Sequence, residues 1–182
     1  MTKLFILLTL ILMTINFSLA QDKGSFVKDI QLKYNEIKTK LDSDDTTMDE
    51  IWGESTEGGQ AIGYYDNGDI ILIEVIWLGE TGRKQIEYYF HSGKLIFAFE
   101  QNFAYNRPID WDEKKAKENG DHEFFDPKKT TIKEDRYYFH QEKLFLWLDH
   151  DKKEQDLTRG TNSMVGQGLI AHCYKMKEKL KK

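Results

Sequence analysis

The chain has 182 residues, a formal net charge of −5 and 40% hydrophobic residues. This size and composition fit one globular domain with its own core, and no change in composition marks a second domain. Basic residues cluster only at the end, from Lys175 to Lys182, which argues against nucleic-acid binding. Cys173 is the single cysteine, so the fold cannot contain an intramolecular disulfide.

Residues 1–20 have the pattern of a secretory signal peptide. Lys3 precedes the apolar run Leu4–Met13, and the segment ends with Ser18-Leu19-Ala20. We predict cleavage after Ala20, one domain over residues 21–182, and a secreted or periplasmic location without stable membrane insertion. The alternative, an uncleaved anchor, is disfavoured because the apolar run is short for a bilayer.

Residues 24–41 are predicted to form a helix with Ser25 as its N-cap. Its apolar stripe has five members: Phe26, Ile30, Tyr34, Ile37 and Leu41. The acidic stretch 42–50 follows this helix. Its carboxylates could gather Ca²⁺, but their spacing lacks the order of an EF-hand loop, which favours a solvated loop.

A two-tyrosine motif occurs three times in the rest of the chain, over Gly63–Ile73, Glu87–Phe97 and Arg136–Leu146. Each copy has two tyrosines, a short turn and an apolar run, which is typical of a β-hairpin. The pattern predicts strands near 61–66, 69–78, 83–91, 94–102, 131–140 and 143–149, joined as an antiparallel meander. Ile51-Trp52 could start the sheet.

The middle copy predicts the register of its hairpin, because Ser92-Gly93 supplies the positive φ of a two-residue turn. This turn gives one apolar face with three cross-strand pairs: Phe90–Leu95, Tyr88–Phe97 and Ile86–Phe99. We expect both terminal helices to cover that face. The opposite face is predicted to carry Tyr89, Ile96, Tyr138, Phe145 and Trp147. If nothing covers those side chains, they form an aromatic binding surface.

The other two copies predict less regular turns. Gln141-Glu142 suits positive φ poorly, so a different or looser turn is expected in the third copy. In the first copy a two-residue turn would place Asp66 opposite Asp69. Like charges there are unfavourable, so a wider loop is expected.

Residues 103–130 interrupt the meander. Arg107-Pro108 should end a strand, and a short helix over 112–117 should stop at Asn119-Gly120. Tyr105, Arg107 and Trp111 could form a stacking and hydrogen-bonding patch, because long insertions often carry function. The alternative is that Trp111 folds the loop back onto the sheet.

The closing helix is predicted over residues 162–181, with Cys173 on its buried side. Its apolar stripe is Val165, Leu169, Met176 and Leu180, joined by His172. A reactive thiol is the less favoured alternative for Cys173, because no recognisable signature places a histidine or asparagine near it.

No catalytic signature, metal site or cofactor site is predicted. Asp149-His150-Asp151 and Asp121-His122-Glu123 resemble metal ligands by type, but adjacent extended residues point apart, which favours charged turns. His91 and His140 hold equivalent places in two copies without a third ligand.

The hairpins resemble a group of small uncharacterised secreted bacterial proteins. The similarity is carried by Tyr34–Ile37, Gly58–Tyr65 and the stretch Glu87–Ile109, and the group implies no activity. The Tyr-Tyr-x-x-Gly-Lys-Leu pattern also resembles, in part, the hairpin unit of MORN-type repeat proteins, which have shorter and more regular periods.

The sequence therefore predicts an α+β fold, with about six meander strands built from three hairpins and flanked by an N-terminal and a C-terminal helix. The expected function is that of an exported, non-catalytic binding module for a protein, peptide or glycan. A cell-envelope hydrolase using unidentified carboxylates and a structural envelope protein are the alternatives. The candidate binding residues are Tyr89, Tyr138, Phe145, Trp147, Tyr105, Arg107 and Trp111.

Overall fold

The computed structural model describes residues 23–41, 47–53 and 57–180. The predicted signal peptide and residues 42–46 of the acidic stretch lie outside these ranges. The helices are α1 (residues 23–41), α2 (Glu113–Glu118) and α3 (Asn162–Leu180). The strands are β1 (Thr47–Trp52), β2 (Gly59–Asp66), β3 (Asp69–Gly79), β4 (Gly82–His91), β5 (Lys94–Ala104), β6 (Thr131–His140) and β7 (Lys143–Leu148).

The strands form one antiparallel sheet in the order β1-β2-β3-β4-β5-β6-β7, so each strand pairs with its neighbours in sequence. The predicted α+β meander with a helix at each end is confirmed, and β1 is the strand that Ile51-Trp52 suggested. The start of the first helix was predicted wrongly. Ser25 lies inside α1, which already includes residue 23, so it is not the N-cap.

All three motif hairpins close with the same two-residue turn, in which both residues have positive φ. The φ values are 51° and 84° at Asn67-Gly68, 49° and 75° at Ser92-Gly93, and 49° and 60° at Gln141-Glu142. The looser turn expected at Gln141-Glu142 is therefore wrong. Positive φ at two non-glycine residues is unfavourable, and the strand pairing on both sides imposes it.

The first hairpin also keeps the two-residue turn, and Asp66 does lie opposite Asp69. The wider loop expected there is wrong, because the Asp66 carboxylate has two partners of its own. Lys40 of α1 forms an ion pair with Asp66, and the Asn67 side-chain amide donates to the same carboxylate at 2.9 Å. These contacts offset the repulsion between the two aspartates.

Each hairpin contains a β-bulge just beyond its turn. The register skips Ile71 in the first hairpin, Ile96 in the second and Phe145 in the third. The predicted register of the middle hairpin is correct for Phe90–Leu95, the pair next to the bulge, and wrong beyond it. The prediction had assumed that pairing continued without a skipped residue. A one-residue shift moves every later side chain to the other face.

The bulge in the middle copy overturns two of the three predicted pairs, Tyr88–Phe97 and Ile86–Phe99. Tyr88 pairs with Ala98, whereas Phe97 pairs with Tyr89 and Phe99 with Glu87. In the third hairpin, Trp147 pairs with Tyr137. Phe97 and Phe99 therefore leave the face of Tyr88, and Trp147 leaves the face of Tyr89.

The two terminal helices cover opposite faces of the sheet, which corrects the expectation that both cover one. The face under α3, here the α3 face, buries Ile73, Val75, Ile86, Tyr88, Phe90, Leu95, Ala98, Tyr137 and Phe139. The face under α1, here the α1 face, buries Ile71, Leu72, Tyr89, Phe97, Tyr138 and Leu146. Each fully buried large apolar side chain contributes about 1.5–3 kcal/mol, so both layers are needed for stability.

The closing helix presents its predicted stripe to the sheet. Cys173, Met176 and Leu180 are buried, and the His172 Nδ1 lies 2.8 Å from the Tyr88 hydroxyl. Gly166 allows the close approach of α3 to β7, because a Cβ at this position would lie 2.6 Å from the Leu144 Cβ. The prediction of a buried Cys173 is confirmed.

The segment between β5 and β6 contains the short helix that was expected. Asp112 caps α2 by accepting a hydrogen bond from the Lys115 amide at 2.8 Å. The segment docks on the β3–β4 turn through two backbone bonds, from the Tyr105 N–H to Thr81 and from the Ile109 N–H to Glu80. It therefore lies at the end of the sheet that is opposite the three motif turns.

Candidate functional site

The predicted aromatic surface is divided by the fold. Tyr89 is fully buried and Tyr138 is 6% exposed, both beneath α1. Phe145 is half-buried beside Phe26 of α1. Trp147 lies on the α3 face with its ring centre 5.4 Å from that of Tyr137, and its indole N–H donates to Asp135 at 2.8 Å. The four side chains do not form one exposed aromatic face.

A pocket of about 200 Å³ remains between α1 and the middle of the sheet. Its lining comes from α1, β5 and β6: Ile30, Gln31, Tyr34, Phe97, Phe99, Arg136 and Tyr138. The aromatic walls are mutually supported, since the Tyr34 and Phe97 rings lie 5.8 Å apart and the Phe97 and Tyr138 rings 4.9 Å apart. Tyr138 is the one predicted binding residue that lines this pocket.

Among the residues that the structure describes, Arg136 is the only charged one that lines the pocket. Its guanidinium lies over the Phe99 ring, 5.0 Å from the ring centre, and donates to Glu134 at 2.6 Å. Glu134 also accepts a hydrogen bond from Gln101 at 3.1 Å. The hydrogen bond from Arg136 is the main reason that the pKa of Glu134 is lowered. The cation is therefore held in place at the pocket wall.

Two glutamates on neighbouring strands lie beside the pocket, in the same cross-strand row as Phe99 and Arg136. Glu74 pairs with Glu87 across β3 and β4. Glu87 is only 8% exposed, accepts a hydrogen bond from Tyr89 and has the Lys38 ammonium at 3.5 Å. Directly opposed carboxylates repel each other. The hydrogen bond from Tyr89 and the nearby Lys38 charge offset that repulsion.

Glu74 has the less neutralised environment of the two. Its carboxylate accepts a hydrogen bond from the Tyr64 hydroxyl at 3.0 Å. Burial, followed by the charge of Glu87, raises its pKa, while the Tyr64 hydrogen bond and Lys38 act in the opposite direction. Burial and the Glu74 charge likewise raise the pKa of Tyr64. The phenols therefore stay protonated and act as donors to the carboxylates.

This carboxylate pair is engaged by side chains of the protein itself. Tyrosine hydroxyls bond to both glutamates, and neither glutamate lines the adjacent pocket. A catalytic acid or base must reach a bound substrate within hydrogen-bonding distance. The pair is thus better suited to holding α1 against the sheet than to chemistry on a ligand.

The other three predicted binding residues lie together in the segment after β5. The Tyr105 ring packs against Phe125 at 5.2 Å, and Arg107 forms ion pairs with Asp121 at 3.0 Å and Glu123 at 3.6 Å. Trp111 is half-buried. Within the described ranges, the Arg107 Nε and the Trp111 indole nitrogen are buried and have no hydrogen-bond partner. Most of this patch is therefore used in folding the segment.

The metal and thiol candidates give no site. Within the described ranges, no group of three or more His, Cys, Asp or Glu side chains could hold a metal ion. His140 instead stacks on Phe26, with ring centres 3.9 Å apart. Burial raises the pKa of Cys173 to about 12, so its thiol stays protonated and unreactive near neutral pH.

Comparison with known proteins gives no further guidance. No family model matches the chain, and no significant match appears among the curated proteins or the solved structures. Of the helices in the described ranges, none combines the length and the apolar character that crossing a bilayer requires. The resemblance to secreted bacterial proteins and to MORN-type hairpins stays a prediction.

Sequence reasoning missed the charged residues of the α1 face. Glu74 interrupts the apolar run of β3, and Glu87 lies between the core residues Ile86 and Tyr88. An acid flanked by buried residues in a strand marks a position that needs a partner. That signal could have identified both glutamates, whereas Lys38 and Arg136 become visible only once α1 is docked.

Proposed function

We propose that the protein is an exported, non-catalytic binding module that takes one apolar side chain of a peptide or protein into the α1-face pocket. A carboxylate next to that side chain would pair with Arg136. The observation that carries this proposal is the aromatic pocket with a single cation in its wall. Export rests on the signal-peptide pattern of residues 1–20.

The size of the pocket favours a peptide over a free small molecule. Pockets for drug-sized ligands measure about 300–1,000 Å³, whereas this one measures about 200 Å³. That volume accommodates one large apolar side chain. Interfaces commonly depend on such an anchor in a preformed pocket, surrounded by contacts that exclude water.

The charge of the pocket favours an acidic group beside the anchor. A guanidinium has five N–H donors, and the hydrogen bond to Glu134 uses only one of the two terminal nitrogens. The other donors of Arg136 have no hydrogen-bond partner among the residues that the structure describes. Because arginine can bind carboxylates through two donors, a terminal or side-chain carboxylate is the favoured neighbour.

The test compares two probes in NMR titrations of the ¹⁵N-labelled protein: N-acetyl-phenylalanine and N-acetyl-phenylalaninamide. The first carries a carboxylate, and the second has the same ring without the charge. We expect the acid to shift the amide signals around Phe97, Phe99 and Tyr138, and to bind at least several-fold more tightly than the amide.

Arg136→Gln should remove the preference for the acid, while the matched variant Lys133→Gln should keep it. Lys133 is exposed on the same strand, and its side chain lies on the opposite face. Equal binding of both probes by all three proteins, or shifts confined to other surfaces, would overturn the proposal.

A cell-envelope hydrolase is the second candidate, and the Glu74–Glu87 pair is the observation that favours it. The raised pKa of Glu74 is a property of many acid catalysts. The engagement of both carboxylates by tyrosines places this candidate below the binding module. Loss of a measured hydrolytic activity in Glu74→Gln, with unchanged folding, would reverse the order.

A further inference from the structure

The α1 face continues beyond the pocket, toward the end of the sheet that is opposite the motif turns. Phe99 and Arg136 form one cross-strand pair in the pocket wall, and two further rows of side chains follow on the same face. The first row holds Ile76, Gln85, Gln101 and Glu134, and the second holds Leu78, Arg83, Phe103 and Ile132. None of these eight side chains belongs to the cluster that is buried under α1.

The second row carries three large apolar side chains, Leu78, Phe103 and Ile132, here called the outer patch. Leu78 is 44% exposed and Ile132 is 49% exposed. Phe103 is half-buried, and the Arg83 guanidinium lies over its ring, 4.1 Å from the ring centre. Exposed apolar side chains grouped on one surface are typical of an interaction site.

The first row places two side-chain amides between the pocket and the outer patch. Within the described ranges, the Gln85 amide has no hydrogen-bond partner, and the Gln101 amide donates only to Glu134, at 3.1 Å. Both glutamines are half-buried. An amide has both donors and an acceptor, so it can bond to the N–H or the C=O groups of a peptide backbone.

The distance between the pocket and the outer patch fits a short extended peptide. β5 runs from one to the other, and Phe103 follows Phe99 by four residues on the same face. An extended chain rises about 3.4 Å per residue, so these two positions lie about 14 Å apart along the strand. A peptide that runs along β5 spans this distance with four of its own residues. Because its side chains alternate, residues i and i+4 would both face the sheet.

We propose that the partner peptide carries a second apolar side chain, four residues before the one that enters the pocket, and that the outer patch binds it. The inference rests on the proposed function, because the pocket fixes one end of the peptide. A terminal carboxylate on Arg136 leaves the chain free to extend in its N-terminal direction. The Gln85 and Gln101 amides then bond to the peptide backbone between the two side chains.

The experiment measures the affinity of acetylated hexapeptides by calorimetric titration. Each ends in a phenylalanine with a free carboxylate and is otherwise serine, and one leucine is placed three, four or five residues before the phenylalanine. We expect the leucine at four residues to bind at least fivefold more tightly than the peptide without leucine. At three or five residues the side chain points away from the sheet and should give little gain.

Two matched variants locate the gain. Ile132 lies in the outer patch, and Met164 is exposed on α3, at 67%. Ile132→Ser should remove the gain from leucine and leave the affinity of the peptide without leucine unchanged, while Met164→Ser should keep both. Arg136→Gln should weaken all four peptides and preserve the ratio between them, since it changes only the pocket.

The outcomes separate this inference from the function on which it rests. If the peptide without leucine binds and no leucine improves it, the outer patch is not a second subsite, whereas the pocket stands. A gain that is equal at all three spacings, or that survives in Ile132→Ser, also overturns the inference. If no hexapeptide binds, both proposals fail. Dimers in sedimentation experiments that Ile132→Ser dissociates would assign the outer patch to a second copy of the chain.

Discussion

The two faces of the sheet are covered by helices of similar length in different ways. Under α3, the side chains of Cys173, Met176 and Leu180 are almost completely buried. On α1, residues 23–41, the buried side chains are Ile30 and Ile37, and each is still 5% exposed. Val27, Tyr34 and Leu41 are partly buried against the same face, and Lys38 and Lys40 form ion pairs with Glu87 and Asp66. The comparison indicates that the α3 contact is the more completely buried of the two, while the α1 contact includes a pocket and a glutamate whose pKa is raised.

The largest expected effect tests the apolar packing of the α3 face. Met176→Ala should lower the free energy of unfolding by about 2–5 kcal/mol, since it removes a buried side chain and leaves a cavity. Urea denaturation followed by circular dichroism measures this loss. Met164→Ala on the same helix is the control, because Met164 is 67% exposed and should change stability by less than about 0.5 kcal/mol. Equal effects of the two variants would contradict the role assigned to α3.

The second prediction compares one interaction type on the two faces. Tyr89 donates to the buried Glu87 on the α1 face, and Tyr174 donates to the less buried Glu142 on the α3 side. Tyr89→Phe should cost about 1–3 kcal/mol, because it deprives a buried carboxylate of a donor. Tyr174→Phe should cost less, because water can reach Glu142. Thermal unfolding of both variants measures the difference, and a larger loss for Tyr174→Phe would refute it.

The third prediction concerns pH. The pKa of Glu74 is raised above its ordinary value of 4.5, mainly by burial. The folded protein therefore holds this proton more tightly than the unfolded chain, so stability falls as pH rises through the folded-state pKa. Glu74→Gln should remove this loss and stabilise the protein at pH 7 by about 0.2–1 kcal/mol, the range for opposed like charges.

Melting temperatures of the native chain and of Glu74→Gln, measured between pH 4 and pH 8, test that expectation. The higher stability of Glu74→Gln should shrink toward acidic pH. Glu134→Gln is the matched control with the opposite sign. The pKa of Glu134 is lowered by its hydrogen bond with Arg136, so its contribution is present at neutral pH and is lost under acid. A Glu74→Gln protein that is less stable than the native chain at pH 7 would show that the carboxylate itself is needed.

The smallest effect is expected at the rim of α1. Lys40 pairs with Asp66 at the partly exposed first turn, and such pairs contribute less than about 1 kcal/mol. Lys40→Met should cause a small loss of stability that disappears in high salt, because screening weakens the repulsion of Asp66 and Asp69 as well. An equal loss at all salt concentrations would mean that the lysine stem, and not its charge, is important.

The sequence predicted the elements of this fold well because most of its signals are local. Alternation, turn residues and the helical stripes of Phe26 and Met176 each depend on neighbouring residues alone. The register was not predictable in the same way. Whether Ile96 is paired or skipped depends on strand twist and packing, and no residue type in the motif marks a bulge.

The candidate site was less predictable than the fold. Tyr138 was identified because aromatic residues are recognisable in any context, but its true neighbours depend on the shifted register. Arg136 and Lys38 lie far apart in sequence and become part of one region only when α1 crosses the α1 face. The turn at Gln141-Glu142 shows the same limit, since tertiary pairing there overrides the local preference of both residues.

The unbroken strand order has a consequence for how the chain folds. Each strand pairs only with the strands next to it in sequence, so the sheet can grow hairpin by hairpin without closing long loops. The two ends of the chain make the distant contacts, as in the stacking of Phe26 on His140. We therefore expect the docking of the terminal helices to be the slow step. The protein would then acquire its pocket late, when α1 docks on a sheet that has already formed.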